Sequence, residues 1–168
     1  ELTFKGIAAT GKLPTSVDFG LLPEAEEDTF KILVFGDPQV YNEKDVLYFQ
    51  KGVVDELVGV QGYKFGISLG DLVGNKPTLF SAYIDAISAI GVPWYQVMGN
   101  HDINFDVEDD TLSDVSFKAF FGPNNYSLNV GKVHFIILDD ILYQGKDAKK
   151  PYIGGLRKDQ LEFIENDP

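Results

Sequence analysis

Short apolar runs that stop abruptly at glycine set the pattern of this chain. Lys31–Phe35 is a short, continuous apolar run of the kind buried on both faces of a sheet, and it leads into Gly36-Asp37-Pro38-Gln39. Lys64–Leu69 is a second such run and ends in Gly70-Asp71. Val92–Met98 is a third, and Gly99-Asn100-His101-Asp102 follows it without a gap. Between the runs the spacing turns helical. Asn42, with Asp45 three residues on, marks a helix start, and Val46, Phe49, Val53, Leu57 and Val58 recur at helical intervals to about Gly59. Pro77 suits a first helical position, and Leu79, Tyr83, Ile87 and Ile90 form an apolar stripe that Gly91 and Pro93 close. Residues 30–102 thus read strand–helix–strand–helix–strand, which predicts parallel strands with right-handed crossovers.

Beyond residue 102 the character changes. Asp106, Glu108, Asp109, Asp110 and Asp114 form an acidic loop without the central glycine or spacing of an EF-hand, so a solvated loop is expected. Ser116–Phe121 reads as the end of a short helix. Tyr126–Val130 and Lys132–Asp139 read as antiparallel strands joined near Gly131, and Lys158–Glu165 starts a last helix. Residues 1–29 show little periodicity and are punctuated by Gly6, Gly11, Pro14, Gly20 and Pro23. They read as an arm or interdomain linker, with an edge strand around Leu2–Ile7 as the alternative.

Composition narrows the function classes. The 168 residues suit one domain with a real core, and 44% hydrophobic residues make it globular. A formal charge of −12 argues against binding a nucleic-acid backbone or an anionic membrane surface. Acidic chains still handle phosphate when metal ions held by their carboxylates reverse the local sign. Cysteine is absent, which excludes disulfides and thiolate metal sites. No apolar run reaches membrane-spanning length. The chain lacks an initiator Met, so a processed or shortened piece with covalent continuation on both sides is expected.

In parallel α/β sheets, ligands bind outside the carboxyl ends of the strands. Asp37, Asp71 and Asn100–His101 all fall at such ends, one strand–helix unit apart, and a glycine before each motif lets the backbone turn sharply. Two carboxylates, an amide oxygen and an imidazole suit divalent Mn, Fe or Zn, and a bridging carboxylate suits a two-metal phosphoryl displacement. In order, placement and spacing, Gly36-Asp37, Gly70-Asp71 and Gly99-Asn100-His101-Asp102 resemble the first three motifs of the calcineurin-like metallophosphoesterases. Phe121-Gly122-Pro123 and the run from Lys132 to Asp140 extend the resemblance from about Phe30 to the end. Residues 1–29 look like the connection that joins a small β-domain to the phosphoesterase domain in exported bacterial members, which points to export.

The resemblance implies an α/β-β/α sandwich and hydrolysis of a phosphate mono- or diester, on a small molecule or phosphoprotein, with two divalent metal ions. Asp37 and Gln39 would serve the first metal, Asp71 would bridge both and Asn100 would bind the second. His101 would contact the phosphate and protonate the leaving oxygen, with Asp102 in support. Gln39 stands where the family usually has histidine, although Asp-Pro-Gln resembles a recognised branch. The family's later Gly-His and Gly-His-x-His motifs are missing, since the chain holds only His101 and His134. Residues 30–168 are therefore expected to be the N-terminal half of a phosphoesterase domain, weakly active alone. The alternatives are a silent metal- or phosphate-binding module and a structural domain.

Several polar residues carry plainer expectations. Asn75, just before Lys76-Pro77, is expected to cap a helix. His134 is expected to be a buried core histidine. Asp139 and Asp140 read as turn residues or as facing the site, and Asn104 and Tyr126 as candidate substrate contacts. Asp102 has two compatible roles: orienting His101 or bonding the loop backbone. P-loop, dinucleotide-binding and nucleophile-elbow motifs are absent from the sequence.

Overall fold

The computed structural model describes residues 27–167, so the expectations for the arm at residues 1–26, including the strand at Leu2–Ile7, lie outside it. The three apolar runs form β1 (Lys31–Phe35), β2 (Tyr63–Leu69) and β3 (Trp94–Val97). They pair in parallel in the order β1-β2-β3. The third strand starts later than expected because Pro93 has no N–H to give the ladder, although its carbonyl still accepts from Gly66 at 2.8 Å.

Successive side chains of a strand point to opposite faces, so the sheet builds two cores. Leu33, Phe35 and Trp94 pack with Val46, Val54, Leu79, Phe80, Tyr83 and Ile87 of the helical layer. Ile32, Phe65, Ile67, Tyr95 and Val97 pack with a hairpin of β4 (Tyr126–Val130) and β5 (Val133–Ile137). The result is an α/β layered fold with a second sheet begun by that hairpin. Val34 and Leu69, at the carboxyl ends of β1 and β2, are 50% and 53% exposed. Burial on both faces therefore fails where β1 reaches the site: no described residue covers that end.

Helix α1 (Glu43–Phe49) starts as its cap predicts, with Asn42 Oδ1 accepting from the amides of Lys44 and Asp45. It continues as a π turn over Gln50–Val54. That wider turn shifts the register by one residue, so Val54 is buried and Val53 is 40% exposed. Helix α2 (Phe80–Ser88) follows a 3-10 turn at Pro77–Leu79, and the stripe Leu79, Tyr83, Ile87 and Ile90, which runs from that turn to just past the helix, is buried throughout.

The C-terminal half holds α3 (Val115–Phe121), a hairpin of β6 (Ile141–Tyr143) and β7 (Tyr152–Gly154), and α4 (Lys158–Asn166). The acidic loop is not simply solvated. Asp110 accepts from the Tyr143 amide and pairs with Arg157, while Asp114 is buried and bonded to Lys118 and Asn124. His134 is not a core residue either. It lies on the more exposed face of β5, with its ring between Asn129 Oδ1 and Asp167 Oδ2, so polar partners rather than a core hold it. No helix among the described residues is long and apolar enough to cross a membrane.

Candidate active site

The three motif loops are tied to one another through their backbones. The Gln39 amide donates to the Asp71 carbonyl at 2.7 Å, and a β-bridge between Val40 and Val73 extends that pairing. The His101 amide donates to Asp71 Oδ1 at 2.9 Å, and the Asn75 amide to the His101 carbonyl at 3.1 Å. Asp71 is thus the joint between the loops. Gln39, Asp71 and Asn75 have φ of 39°, 48° and 60° and are the only non-glycine residues with positive φ among the described residues. Such strain persists where the surroundings over-determine it, and it gathers at functional sites.

The motif glycines have different reasons. Gly70 has a φ of 94°. At Gly99 a Cβ would stand 2.1 Å from the Asp71 amide nitrogen and 2.2 Å from its Oδ1, so the third loop reaches Asp71 only without a side chain. Gly36 has neither a positive φ nor any atom within 4 Å of a built Cβ, so the sharp-turn expectation fails there. Gly99→Ala should therefore destabilise the protein by about 1–3 kcal/mol as Asp71 is forced aside. Gly36→Ala should stay within about 0.5 kcal/mol. Urea unfolding of the two variants checks the contrast.

Asp102 takes the loop-backbone role. It is fully buried, and its carboxylate accepts from the amides of Gly99, Val73 and Leu72 at 2.9, 3.1 and 3.2 Å. Burial pushes its carboxyl up to about 7, with the three amides pulling down and the Asp71 charge pushing further up. Its oxygens serve the backbone of the second and third motif loops.

His101 is oriented by Asn75 instead. Its Nδ1 lies 2.6 Å from Asn75 Oδ1, and an amide oxygen can only accept. Nδ1 therefore carries the proton, which leaves Nε2 as the atom that can gain or release one. Asn75 is not the expected helix cap. The cap position of the following turn is Lys76, without a side-chain bond, while Asn75 turns left-handed toward His101. Its place four residues after Asp71 in the same loop was the available signal.

A cleft of about 970 Å³ opens at the strand ends, and Asp37, Asp71 and Asn100 line it together with Asp140 and the exposed apolar Val34 and Leu69. Gln39 and His101 are not among its lining residues. Asn100 Nδ2 donates to Tyr152 Oη at 2.9 Å. Asp139 is buried in a turn, where it accepts from the Ile141 amide and Asn124, and burial raises its carboxyl pKa. Tyr126 donates to the Gln96 carbonyl, and Asn104 lines a separate hollow with Asn75, so neither lines the cleft.

Among the described residues no cationic side chain is paired with Asp37 or Asp71. Two uncompensated carboxylates and an amide oxygen at one cleft fit a hard divalent cation in kind. They fall short of a closed set, since no three His, Cys, Asp or Glu come together among the described residues.

A family model for calcineurin-like phosphoesterases matches residues 30–163, most of the chain. The chain belongs to that family. Membership supports a general phosphoesterase function, in a family that typically works with divalent metal ions. No curated protein matches it as a relative. The matched span starts next to β1 and contains all three motif loops, so the family and the strand-end geometry coincide.

Proposed function

We propose that the strand-end cleft hydrolyses a phosphate mono- or diester with two divalent metal ions held by Asp37, Asp71 and Asn100, with Gln39 reaching them from the first loop outside the cleft lining. The observation that carries this reading is Asp71, at the joint of the first and third motif loops, a carboxylate with no ion pair among the described residues. Divalent ions bound there would activate water and neutralise charge on the phosphoryl oxygens. The chain's own carboxylates need that neutralisation, because a phosphate anion is repelled by Asp37 and Asp71 alone.

Hydrolysis forms a bond from a water oxygen to phosphorus and breaks the bond to the leaving oxygen. His101 supplies the proton that this oxygen needs, from Nε2, while Asn75 fixes the ring through Nδ1. The Asp102 latch holds both loops still during the exchange. No three His, Cys, Asp or Glu come together among the described residues, so these four side chains leave the metal ions short of ligands. The same shortfall favours a second reading, a metal- or phosphate-binding module without turnover.

Leaving-group dependence tests the role of His101. p-Nitrophenolate departs without a proton and an alkoxide does not. His101→Ala in the full-length protein should therefore lose about 10²–10⁴-fold in kcat on an alkyl phosphate and clearly less on p-nitrophenyl phosphate. Equal losses on both substrates would remove His101 as the acid. A wild-type protein that binds Mn²⁺ and hydrolyses neither would support the binding module.

A further inference from the structure

We propose that Tyr152 is a positioning residue that turns the Asn100 amide oxygen toward the metal side of the cleft, an inference that rests on the proposed function. Asn100 Nδ2 donates to Tyr152 Oη, and this is the one polar contact of that side chain among the described residues. The nitrogen and oxygen of a planar amide point in different directions, so anchoring the nitrogen commits the oxygen elsewhere. Asn100 lines the cleft beside Asp71, and an oxygen turned into it is a hard ligand where the nitrogen would be none.

Tyr152 can impose this because its own place is fixed. It lies on β7 directly across from Tyr143 of β6. Tyr143 is buried and donates through Oη to the Phe105 carbonyl at 2.6 Å. The Phe105 ring meets both tyrosines edge-on, with centroids 6.3 and 6.4 Å away. The Gln144 amide closes the hairpin on the Pro151 carbonyl at 2.7 Å. A short hairpin that no motif foretold therefore reaches back across 52 residues to the third motif loop. An unanchored asparagine would present oxygen and nitrogen to a cation in turn, and outer partners of metal ligands typically carry about 10–100-fold in affinity.

The bland reading is that the bond only fastens the hairpin to the loop. Tyr152→Phe separates the two, because it keeps the ring against Phe105 and removes only the hydroxyl. Calorimetric titration of Mn²⁺ into the full-length protein should show binding about 10–100-fold weaker in Tyr152→Phe. The melting temperature should hardly move, and the change should add nothing in an Asn100→Ala background. In the metal-free protein, the Asn100 side-chain amide NMR signals should shift in Tyr152→Phe. Wild-type Mn²⁺ affinity in Tyr152→Phe, or a further loss on top of Asn100→Ala, would overturn the proposal. A wild-type protein that takes up no Mn²⁺ would instead sink the proposed function, and the amide signals would show separately whether Tyr152 anchors Asn100.

Discussion

Asp102→Ala should lower the unfolding free energy by about 3–6 kcal/mol, a large share of the 5–15 kcal/mol that holds a typical domain together. The carboxylate is fully buried and is the acceptor for the amides of Leu72, Val73 and Gly99. Removing it leaves those donors without a partner, at roughly 1–3 kcal/mol each, and adds a small cavity. Asp102→Asn should fall between, since it keeps one acceptor oxygen and sets an NH₂ group against the remaining amide or amides. Asp85→Ala, on the exposed side of α2, is the control and should change stability by less than about 0.5 kcal/mol. Urea unfolding reads all three. An Asp102→Ala protein within 1 kcal/mol of wild type would show that the latch does not hold the loops.

Asp71→Asn should reduce phosphoesterase turnover of the full-length protein by about 1000-fold or more. Asparagine tolerates the left-handed backbone that gives Asp71 a φ of 48°, and it still offers an oxygen to the His101 amide. The fold is therefore expected to survive and only the negative charge is lost. A carboxylate that would hold divalent cations is worth several kcal/mol at the transition state, and about 4 kcal/mol corresponds to 1000-fold in rate. Initial rates with p-nitrophenyl phosphate and Mn²⁺, beside an unchanged unfolding midpoint, check the prediction. A variant within tenfold of wild type would mean that Asp71 holds the loops but does not serve the chemistry.

These variants also show what was legible in the sequence. The parallel sheet was readable because β1 and β2 are apolar runs that stop at glycine, and because the stripe Leu79–Ile90 recurs at helical spacing. The gathering of Asp37, Asp71 and Asn100 followed from where ligands sit on such sheets. Other features leave no periodic trace. The π turn at Gln50–Val54 exchanges Val53 for Val54 in the core without any sequence mark. β6 and β7 have three residues each, too few to show alternation. Asn75 was masked by the proline two residues on, which makes any preceding asparagine look like a cap. His134 was masked by its apolar neighbours, whose strand is open on one side among the described residues. The contacts that hold the site, Asp102 to three amides and Tyr152 to Asn100, join residues 29 to 52 positions apart or depend on a fold of the loop upon itself.

Metal ions at these strand ends are proposed to drive hydrolysis of a phosphate ester. Stripping the full-length protein with EDTA and titrating Mn²⁺ back while following p-nitrophenolate release tests that role most directly. Turnover should vanish on stripping and return as Mn²⁺ is taken up. Turnover that survives the chelator, or Mn²⁺ uptake that restores no hydrolysis, would contradict it.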